Sequence, residues 1–350
     1  MSLSVGIVGL PNVGKSTLFN ALLKKQQAYV ANFPFATIEP NVGVVPVPDE
    51  RLVKLSETVK ASEKLNHLPP VVPATVQFVD IAGLIAGAHK GEGLGNKFLH
   101  HIREVDAICH VLRLFNDPEV PRLDSQGEVD ARRDFETVKT ELELADLETK
   151  ERRDRANAKA KAGKEEKEDL PLFSKKPILV VLNVDEEDLK KASELEMKYA
   201  AELDLEDQAR LAKDGESRRV VAICAKTEAQ LAELSEEDQK KYLEDLGVHQ
   251  SGLEKLIKKA FLTLGLISFL TAGEKEVRAW TIRLGSTALS ASGVIHTDFM
   301  DKFIKADVVD FKDFVKFGGW AKCRELGKVR SEGRDYIIAD GDVIEFKIGA

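Results

Sequence analysis

The sequence predicts an α/β protein in which a mainly parallel β-sheet is covered by helices on both faces. Short apolar runs of strand length recur along the chain, at residues 3–10, 74–82, 107–115, 177–184 and 219–225. Segments with helical periodicity separate these runs, and the first of them is 15–25. Continuous apolar strands that alternate with helices are typical of a buried parallel sheet.

The composition is that of a soluble globular protein. Of the 350 residues, 43% are hydrophobic and 31% are charged, which argues against a disordered or fibrous chain. The net charge of −8 argues against affinity of the whole surface for nucleic acid, although a local basic patch is compatible with it.

Three cysteines, Cys109, Cys224 and Cys323, lie far apart and form no CxxC pair. This spacing predicts neither a disulfide framework nor a zinc site, and it favours a reducing compartment. The first ten residues carry no basic segment before their apolar stretch, and the most apolar run, 260–270, is too short to cross a bilayer. We therefore expect a cytoplasmic protein that does not enter a membrane.

Residues 128–169 are rich in charge and interrupt the alternation of strands and helices. Leu and Ala at helical spacing in 135–153 predict one or two long, exposed helices that project from the sheet domain. The basic stretch 150–164, with a turn at Gly163, fits either a solvated helix end or a tip that contacts RNA.

The pattern changes again after residue 270. Four segments there have strand-like composition, namely 277–285, 293–299, 303–311 and 336–348. The last of them is predicted to fold back on itself through an Asp-Gly turn. These features predict a separate small α+β domain at this end of the chain.

Residues 9–16 read GLPNVGKS, the pattern G-x-x-x-x-G-K-S between a predicted strand and a predicted helix. Gly9 and Gly14 let the backbone curl, so that its N–H groups point inward at a helix start that favours anions. Lys15 is expected to bridge the β- and γ-phosphates of a nucleotide, and Ser16 to hold Mg²⁺ through its hydroxyl. The predicted nucleotide contacts in this loop are Asn12, Val13, Gly14, Lys15, Ser16 and Thr17.

A second group of residues suits a sensor of the γ-phosphate. Thr37 lies in the Pro-punctuated loop 32–41, and DIAG at 80–83 follows an apolar strand. Thr37 is expected to face the metal, Asp80 a water bound to the metal, and the Gly83 N–H the γ-phosphate. This set favours a nucleotide-gated switch over a simple kinase, which would also need an acceptor pocket that the sequence does not reveal.

Together these motifs resemble those of the YchF/Obg-like ATPase family of translation-factor-related P-loop NTPases. The likeness covers essentially the whole chain and is carried by GLPNVGKSTLFNAL (9–22), NFPFATIEPN (32–41), DIAGL (80–84), KGEGLGNKFL (90–99), NVDE (183–186), FLTAGEKEVRAWT (269–281) and GVIHTDF (293–299). It implies a Ras-like P-loop NTPase domain at 1–116 and 176–266, a helical coiled-coil insertion at 117–175, and a TGS domain of β-grasp fold at 267–350.

The resemblance further implies that the protein hydrolyses ATP in preference to GTP, associates with ribosomes and acts in translation or stress regulation. One departure concerns 114–123, where many family members carry a His proposed to assist hydrolysis. This chain has Pro121 and Arg122 in that region, so the catalytic role of the His is not carried over.

The group that would orient the attacking water is not evident. Ras-like proteins use a Gln directly after D-x-x-G, but this position is Leu84, which cannot hydrogen-bond through its side chain. We expect slow turnover or a polar group from elsewhere; the candidates are His89 and Lys90, each of which also fits a solvated loop. Asn12 raises the hypothesis that K⁺ binds beside the phosphates. His110 is expected to be a core residue.

Residues 180–188 read VVLNVDEED and predict a purine site at the end of an apolar strand. The Asn183 amide could pair with N6 and N7 of adenine. Glu186 stands where Asp would read guanine, and its extra methylene, about 1.5 Å, would misplace a bidentate guanine contact. Val184 replaces a Lys whose stem could cover a base, whereas the adjacent Asp185 leaves a guanine register open.

The segment CAK, residues Cys224, Ala225 and Lys226, is expected to complete the base site through backbone N–H groups, with Lys226 packing over the ring edge. The prediction is a monomeric P-loop ATPase whose helical arm and TGS domain dock on the ribosome or its RNA. The basic stretch 322–334 fits an RNA-facing surface or a solvated helix and turn. Two alternatives stay open, a conventional GTPase and a nucleotide-gated RNA- or ribosome-binding module with negligible catalysis.

Overall fold

The structure, a computed structural model, describes residues 3–32, 41–81, 94–120, 130–159, 172–205, 219–248 and 250–349. Four predicted site residues lie outside these ranges, namely Thr37, Gly83, His89 and Lys90. The chain divides into two compact units, Met1–Val45 with Val76–Leu264 and Pro46–Thr75 with Gly265–Ala350.

The strands are β1 (Ser4–Val8), β2 (Val42–Pro46), β3 (Val71–Val72), β4 (Thr75–Asp80), β5 (Ala107–Arg113), β6 (Ile178–Asn183), β7 (Val220–Ile223), β8 (Leu266–Ala272), β9 (Val277–Arg283), β10 (Phe303–Asp310), β11 (Arg330–Glu332) and β12 (Asp342–Ile348). The helices are α1 (Lys15–Asn32), α2 (Glu50–Ser62), α3 (Leu94–Glu104), α4 (Ala131–Lys159), α5 (Ala192–Glu202), α6 (Ala225–Leu231), α7 (Glu236–Asp245), α8 (Gly252–Thr263), α9 (Ala288–Ile295), α10 (Asp298–Asp301), α11 (Phe311–Phe317) and α12 (Trp320–Glu325). Two 3-10 helices span Phe173–Lys175 and Glu186–Lys191. Among these described helices, none combines the length and the apolar character needed to cross a membrane.

The first unit contains a six-stranded sheet in the order β2-β4-β1-β5-β6-β7. Strand β1 is parallel to β4 and β5, and β6 and β7 continue the sheet in parallel. The predicted parallel sheet is confirmed, since β1, β4, β5, β6 and β7 each fall inside one of the apolar runs. The carboxyl ends of parallel strands meet at one edge, which brings together the segments that follow β1, β4, β6 and β7.

Helices cover both faces of this sheet. Ala222 of β7 packs with Ala200 of α5 and Phe135 of α4 on one face. The next residue, Ile223, points to the opposite face. Its Cγ1 atom lies 3.1 Å from the place that a Cβ on Gly252 of α8 would take. The alternation of side chains along one strand therefore serves two helical layers.

Helix α4 runs over 29 residues, or about 44 Å. Its first half belongs to the core, because Phe135, Val138, Leu142 and Ala145 are buried in clusters that include β5 side chains. The prediction that the charged segment forms exposed helices is therefore wrong for this half. The helical spacing of these apolar residues was visible in the sequence, but their partner on the sheet was not.

Asp146 fixes the point at which the chain returns to the sheet. Its carboxylate accepts hydrogen bonds from the backbone N–H groups of Phe173 (2.8 Å) and Ser174 (2.9 Å). The side chains of 147–151 are exposed or half-buried, as expected of a solvated arm. The basic stretch that was predicted as a helix end or an RNA tip continues past Lys159, outside the described residues.

The second unit is built on a six-stranded sheet in the order β11-β10-β12-β8-β9-β3. Strands β8 and β9 form an antiparallel hairpin, β12 lies parallel to β8, and β10 pairs antiparallel with β12 and β11. Helix α9 packs on one face, where Ala288 and Ala291 join a core that includes Phe269 and Ile344. A hairpin, a crossing helix and a central parallel pair of strands are the arrangement of a β-grasp domain, as predicted.

The predicted strand at 293–299 is wrong, because α9 ends at Ile295 and α10 begins at Asp298. Helix α9 is capped by Thr287, whose hydroxyl accepts a hydrogen bond from the Ser290 N–H. Packing of the small residues of α9 against the sheet outweighs the strand preference of the β-branched residues near its end.

The predicted hairpin within 336–348 is also wrong, since only β12 is a strand there. The residues before it are held by an isolated bridge between Ile337 and Thr287. The buried Asp342 carboxylate accepts hydrogen bonds from the Tyr336 hydroxyl (2.8 Å) and the Ala339 N–H (2.9 Å). These side-chain contacts replace the ladder that the Asp-Gly turn suggested.

Residues 46–75 belong to the second unit, although they were predicted as part of the NTPase segment 1–116. Strand β3 extends the second sheet, with Val71 opposite Val277 of β9 in parallel register. Helix α2 packs on β8, β9 and α11 of the same unit. A segment between two strands of one sheet is expected to stay with that sheet, which is why sequence reasoning missed this excursion.

Candidate nucleotide-binding site

The loop between β1 and α1 has the curled backbone that its sequence predicts. Gly9 (φ 154°), Asn12 (φ 62°) and Gly14 (φ 96°) all adopt positive φ. A Cβ on Gly9 would lie 2.5 Å from the carbonyl oxygen of Val111, and one on Gly14 would lie 2.2 Å from Nδ2 of Asn183. The two glycines are therefore required by close packing as well as by backbone conformation.

Lys15 is the first residue of α1, and its side chain is nearly buried. Its Nζ donates hydrogen bonds to the carbonyl oxygens of Gly9 (3.0 Å) and Leu10 (2.7 Å), so the ammonium lies against the curl. Burial lowers the Lys15 pKa to about 8, and the charge of Asp80 opposes this shift. At neutral pH the group therefore remains mostly cationic and can attract a phosphate.

Two oxygen-bearing side chains near this ammonium suit a hard divalent cation. Ser16 is exposed in the first turn of α1, and Asp80 ends β4 opposite Ile7 of β1. Burial raises the pKa of Asp80, while the charge of Lys15 opposes that rise. A hydroxyl and a carboxylate are donors that Mg²⁺ accepts. Within the described ranges, no three His, Cys, Asp or Glu side chains form a metal site by themselves.

Asn183, at the end of β6, links the phosphate loop, residues 9–16, to the predicted base loop, residues 224–226. Its Nδ2 donates to the carbonyl oxygen of Val13 (2.9 Å), and its Oδ1 accepts from the Ala225 N–H (3.0 Å). The side chain is only 5% exposed. Both ends of the amide are thus held by backbone, while Nδ2 keeps a second hydrogen and Oδ1 a second lone pair, so the pairing of this amide with adenine stays a prediction. Asn183 also braces the site.

The other predicted base contacts differ in their accessibility. Val184 is 1% exposed and lies in the core, so its side chain cannot cover a base as the replaced Lys could. Cys224 and Ala225 are buried, and the Ala225 N–H is already used by Asn183. Lys226 is exposed at the start of α6, where it can reach a ligand.

The two acidic neighbours after β6 point to different partners. The Asp185 carboxylate accepts a hydrogen bond from the Asn116 N–H (3.1 Å), in the segment after β5. The Oε2 atom of Glu186 accepts from the Thr227 hydroxyl of α6 (2.6 Å) and from the Tyr242 hydroxyl of α7 (3.1 Å). Glu186 is thus tied to α6 and α7, whereas Asp185 is tied to the segment after β5.

Comparison with known proteins finds relatives that match this chain over nearly its whole length. The chain is 44% identical to the ribosome-binding ATPase YchF of Bacillus subtilis and 45% identical to that of Escherichia coli O157:H7, covering 99% of this chain and 99% of each relative. It matches the solved structure of the Schizosaccharomyces pombe YchF GTPase with a TM-score of 0.79 and 32% identity, over 99% of this chain and 98% of that one. The chain belongs to the YchF family.

Two family models match different parts of the chain. Residues 4–184 match the family described as 50S ribosome-binding GTPase, and residues 266–349 match the YchF GTPase C-terminal family, described as a protein of unknown function. The names of the relatives divide between ATPase and GTPase. The base preference of this YchF chain must therefore be argued from its own residues.

His110, in β5 of this YchF chain, is a core residue as predicted. It is 2% exposed and stacks on Phe135 of α4 with ring centroids 5.4 Å apart. Burial lowers its pKa to about 3, and the nearby charge of Lys15 adds to the shift. The imidazole is therefore neutral at physiological pH, and it packs the phosphate-loop side of the sheet against α4.

Sequence reasoning missed three residues that shape the YchF site. Thr227 directly follows the predicted CAK segment, so its position was a usable signal, whereas nothing local marked Tyr242. Arg113, at the end of β5, donates to the carbonyl oxygens of Phe115 (3.2 Å) and Val120 (3.0 Å). It thereby orders the segment whose N–H reaches Asp185.

Proposed function

We propose that this protein is a Mg²⁺-dependent ATPase of slow intrinsic turnover that prefers ATP over GTP and works as a switch on the ribosome. The observation that carries the proposal is the braced frame of phosphate loop and base loop, joined through Asn183. Such a frame fixes the distance between a triphosphate site and a base site. Full-length relatives named ribosome-binding ATPase support the choice of nucleotide and partner.

In the proposed site, backbone N–H groups of residues 12–17 and the Lys15 ammonium bind the β- and γ-phosphates. The Ser16 hydroxyl would hold Mg²⁺ directly and Asp80 would hold it through water, with Thr37 as a further ligand. Bound Mg²⁺ neutralises charge on the phosphates. The Gly83 N–H would contact the γ-phosphate.

Slow turnover is proposed because Leu84 cannot orient water. His89 or Lys90 would supply the missing polar group when the ribosome is bound. K⁺ beside Asn12 is a second proposed source of positive charge. Equal ATPase rates in KCl and NaCl at matched ionic strength would dismiss the K⁺ proposal.

The proposed docking parts are the helical arm that continues α4 and the β-grasp TGS domain, and the protein would act as a monomer in the cytoplasm. These parts have different bounds from those predicted by sequence. The first half of α4 packs in the core of the NTPase domain, and residues 46–75 belong to the unit that contains the TGS domain. The arm then begins after Asp146, and its basic end faces ribosomal RNA. This geometry leaves the arm free of the sheet.

A competition titration with unlabelled ATP and GTP, followed by turnover with and without ribosomes, tests the proposal. We expect ATP to bind at least tenfold more tightly, and ribosomes to accelerate hydrolysis. Lys15→Ala is the negative control, because it removes the phosphate-binding cation. Tighter GTP binding would favour a conventional GTPase, and absent stimulation by ribosomes would favour a binding module with negligible catalysis.

A further inference from the structure

The Glu186 carboxylate accepts hydrogen bonds from two hydroxyl groups that lie outside the predicted sequence motifs. Thr227 donates at 2.6 Å and Tyr242 at 3.1 Å, and both reach the same oxygen, Oε2. Thr227 is buried in α6 and Tyr242 is half-buried in α7. Two separate helices therefore converge on one carboxylate oxygen at the rim of the base loop.

This convergence limits what the carboxylate can offer to a ligand. A carboxylate oxygen accepts about two hydrogen bonds, so Oε2 of Glu186 is saturated by the two hydroxyls. Only Oε1 remains to accept from a base. Guanine presents N1–H and N2–H₂ side by side and needs both oxygens of one carboxylate, whereas the single N6–H₂ group of adenine needs one acceptor.

The state of the tyrosine is consistent with a donor role. Burial raises the pKa of Tyr242, and the hydrogen bond to Glu186 raises it further. The phenol therefore stays protonated and keeps its hydrogen on Oε2 throughout the neutral range. Thr227 has a single hydroxyl proton, and the short distance assigns it to the same oxygen.

We infer that Thr227 and Tyr242 are specificity-determining positioning residues, which occupy Oε2 of Glu186 and thereby disfavour guanine nucleotides. The inference rests on the proposed function, because it places the base beside Glu186. Glutamate at position 186 does not by itself explain a preference for ATP, because a glutamate without these hydrogen bonds could turn both oxygens toward guanine. The two hydroxyl groups supply the missing cause.

The test measures the affinities of ATP, GTP and ITP by competition titration for the wild type, Tyr242→Phe, and the double variant Thr227→Val with Tyr242→Phe. Hypoxanthine in ITP has N1–H but lacks the N2 amino group. In the double variant we expect GTP affinity to rise about tenfold relative to ATP, the size of one or two recovered hydrogen bonds. ITP should gain less, because its N1–H can already use Oε1, and it lacks the N2 amino group that would use the freed Oε2.

Tyr242→Phe alone should raise GTP affinity relative to ATP by a smaller factor, about threefold. It removes only a hydroxyl from a half-buried ring, so this variant still tests the inference if the double variant fails to fold. Thr227→Ser is the matched control, because it keeps the hydroxyl and should keep the wild-type discrimination. Thermal unfolding of each variant accompanies the titrations.

An unchanged ATP-to-GTP ratio in folded Tyr242→Phe and double variants would overturn the inference and leave the proposed function intact. Equal gains for GTP and ITP would also overturn it, because the N2 amino group would then play no part. A wild-type protein that binds GTP as tightly as ATP would instead refute the proposed base preference, and the inference with it.

Discussion

Replacing Asn183 with alanine tests whether its side chain holds the two loops together or contacts the base of the nucleotide. The substitution removes the hydrogen bonds to the Val13 carbonyl and the Ala225 N–H, both of which lie in a buried region. A buried polar group that loses its partner costs about 1–3 kcal/mol, so the two together predict a loss of about 2–6 kcal/mol in the free energy of unfolding. This is a large part of the stability of an ordinary domain.

The nucleotide affinities are expected to follow the brace. Without Asn183 the phosphate loop is released from the base loop, and ATP and GTP both depend on that loop. We therefore expect both affinities to fall by a similar factor, about tenfold or more. Urea unfolding measures the first effect, and competition titration measures the second.

A selective outcome would refute this reasoning. If Asn183→Ala lost ATP affinity while GTP affinity and the free energy of unfolding stayed unchanged, the amide would be reading adenine, as the sequence suggested. Glu187→Ala is the matched control, because Glu187 is exposed four residues after Asn183 and should change stability by less than about 0.5 kcal/mol.

Three further predictions follow from buried groups. Gly9→Ala should abolish tight ATP binding, checked by titration, because its Cβ would lie 2.5 Å from a backbone oxygen. His110→Leu should weaken the dependence of the free energy of unfolding on pH. Because burial lowers the His110 pKa to about 3, only the unfolded wild-type chain takes up this proton between about pH 6.5 and pH 3. The free energy of unfolding of the wild type should therefore fall by up to about 1.4 kcal/mol per pH unit below about pH 6.5. Urea titrations at pH 7, 6 and 5 compare the two. Lys259→Met should cost about 3–5 kcal/mol, because Lys259 donates to the buried Glu196 carboxylate at 2.9 Å; a calorimetric scan should show that adding Glu196→Gln restores much of it.

The features that the sequence predicted correctly are local ones. The phosphate loop depends on glycines and a lysine within eight residues, and strand β1 and helix α1 stand where the apolar pattern indicated. The five central strands are continuous apolar runs, which need no knowledge of their neighbours to be recognised. These runs are apolar because both faces of a parallel sheet are covered by helices, which buries the side chains of its strands.

The features that the sequence did not predict depend on partners that are distant in the chain. The bracing role of Asn183 is one of them, because its amide reaches Val13, 170 residues earlier, and Ala225, 42 residues later. The first half of α4 looked exposed because charged residues surround its apolar stripe. Residues 46–75 join the second sheet through β3, and no local pattern specifies which sheet a short strand extends.

Glutamate at position 186 and the two hydroxyls form a set whose members are useful only together. An aspartate is shorter by about 1.5 Å, and so from the same backbone position it could not keep both the 2.6 Å contact to Thr227 and the 3.1 Å contact to Tyr242. Its two oxygens would then stay available to a base edge. Changing the acid to aspartate and removing the two hydroxyls should therefore shift base preference in the same direction, toward guanine. Combining the changes should add less than the sum of their separate effects, because each frees the same carboxylate oxygen.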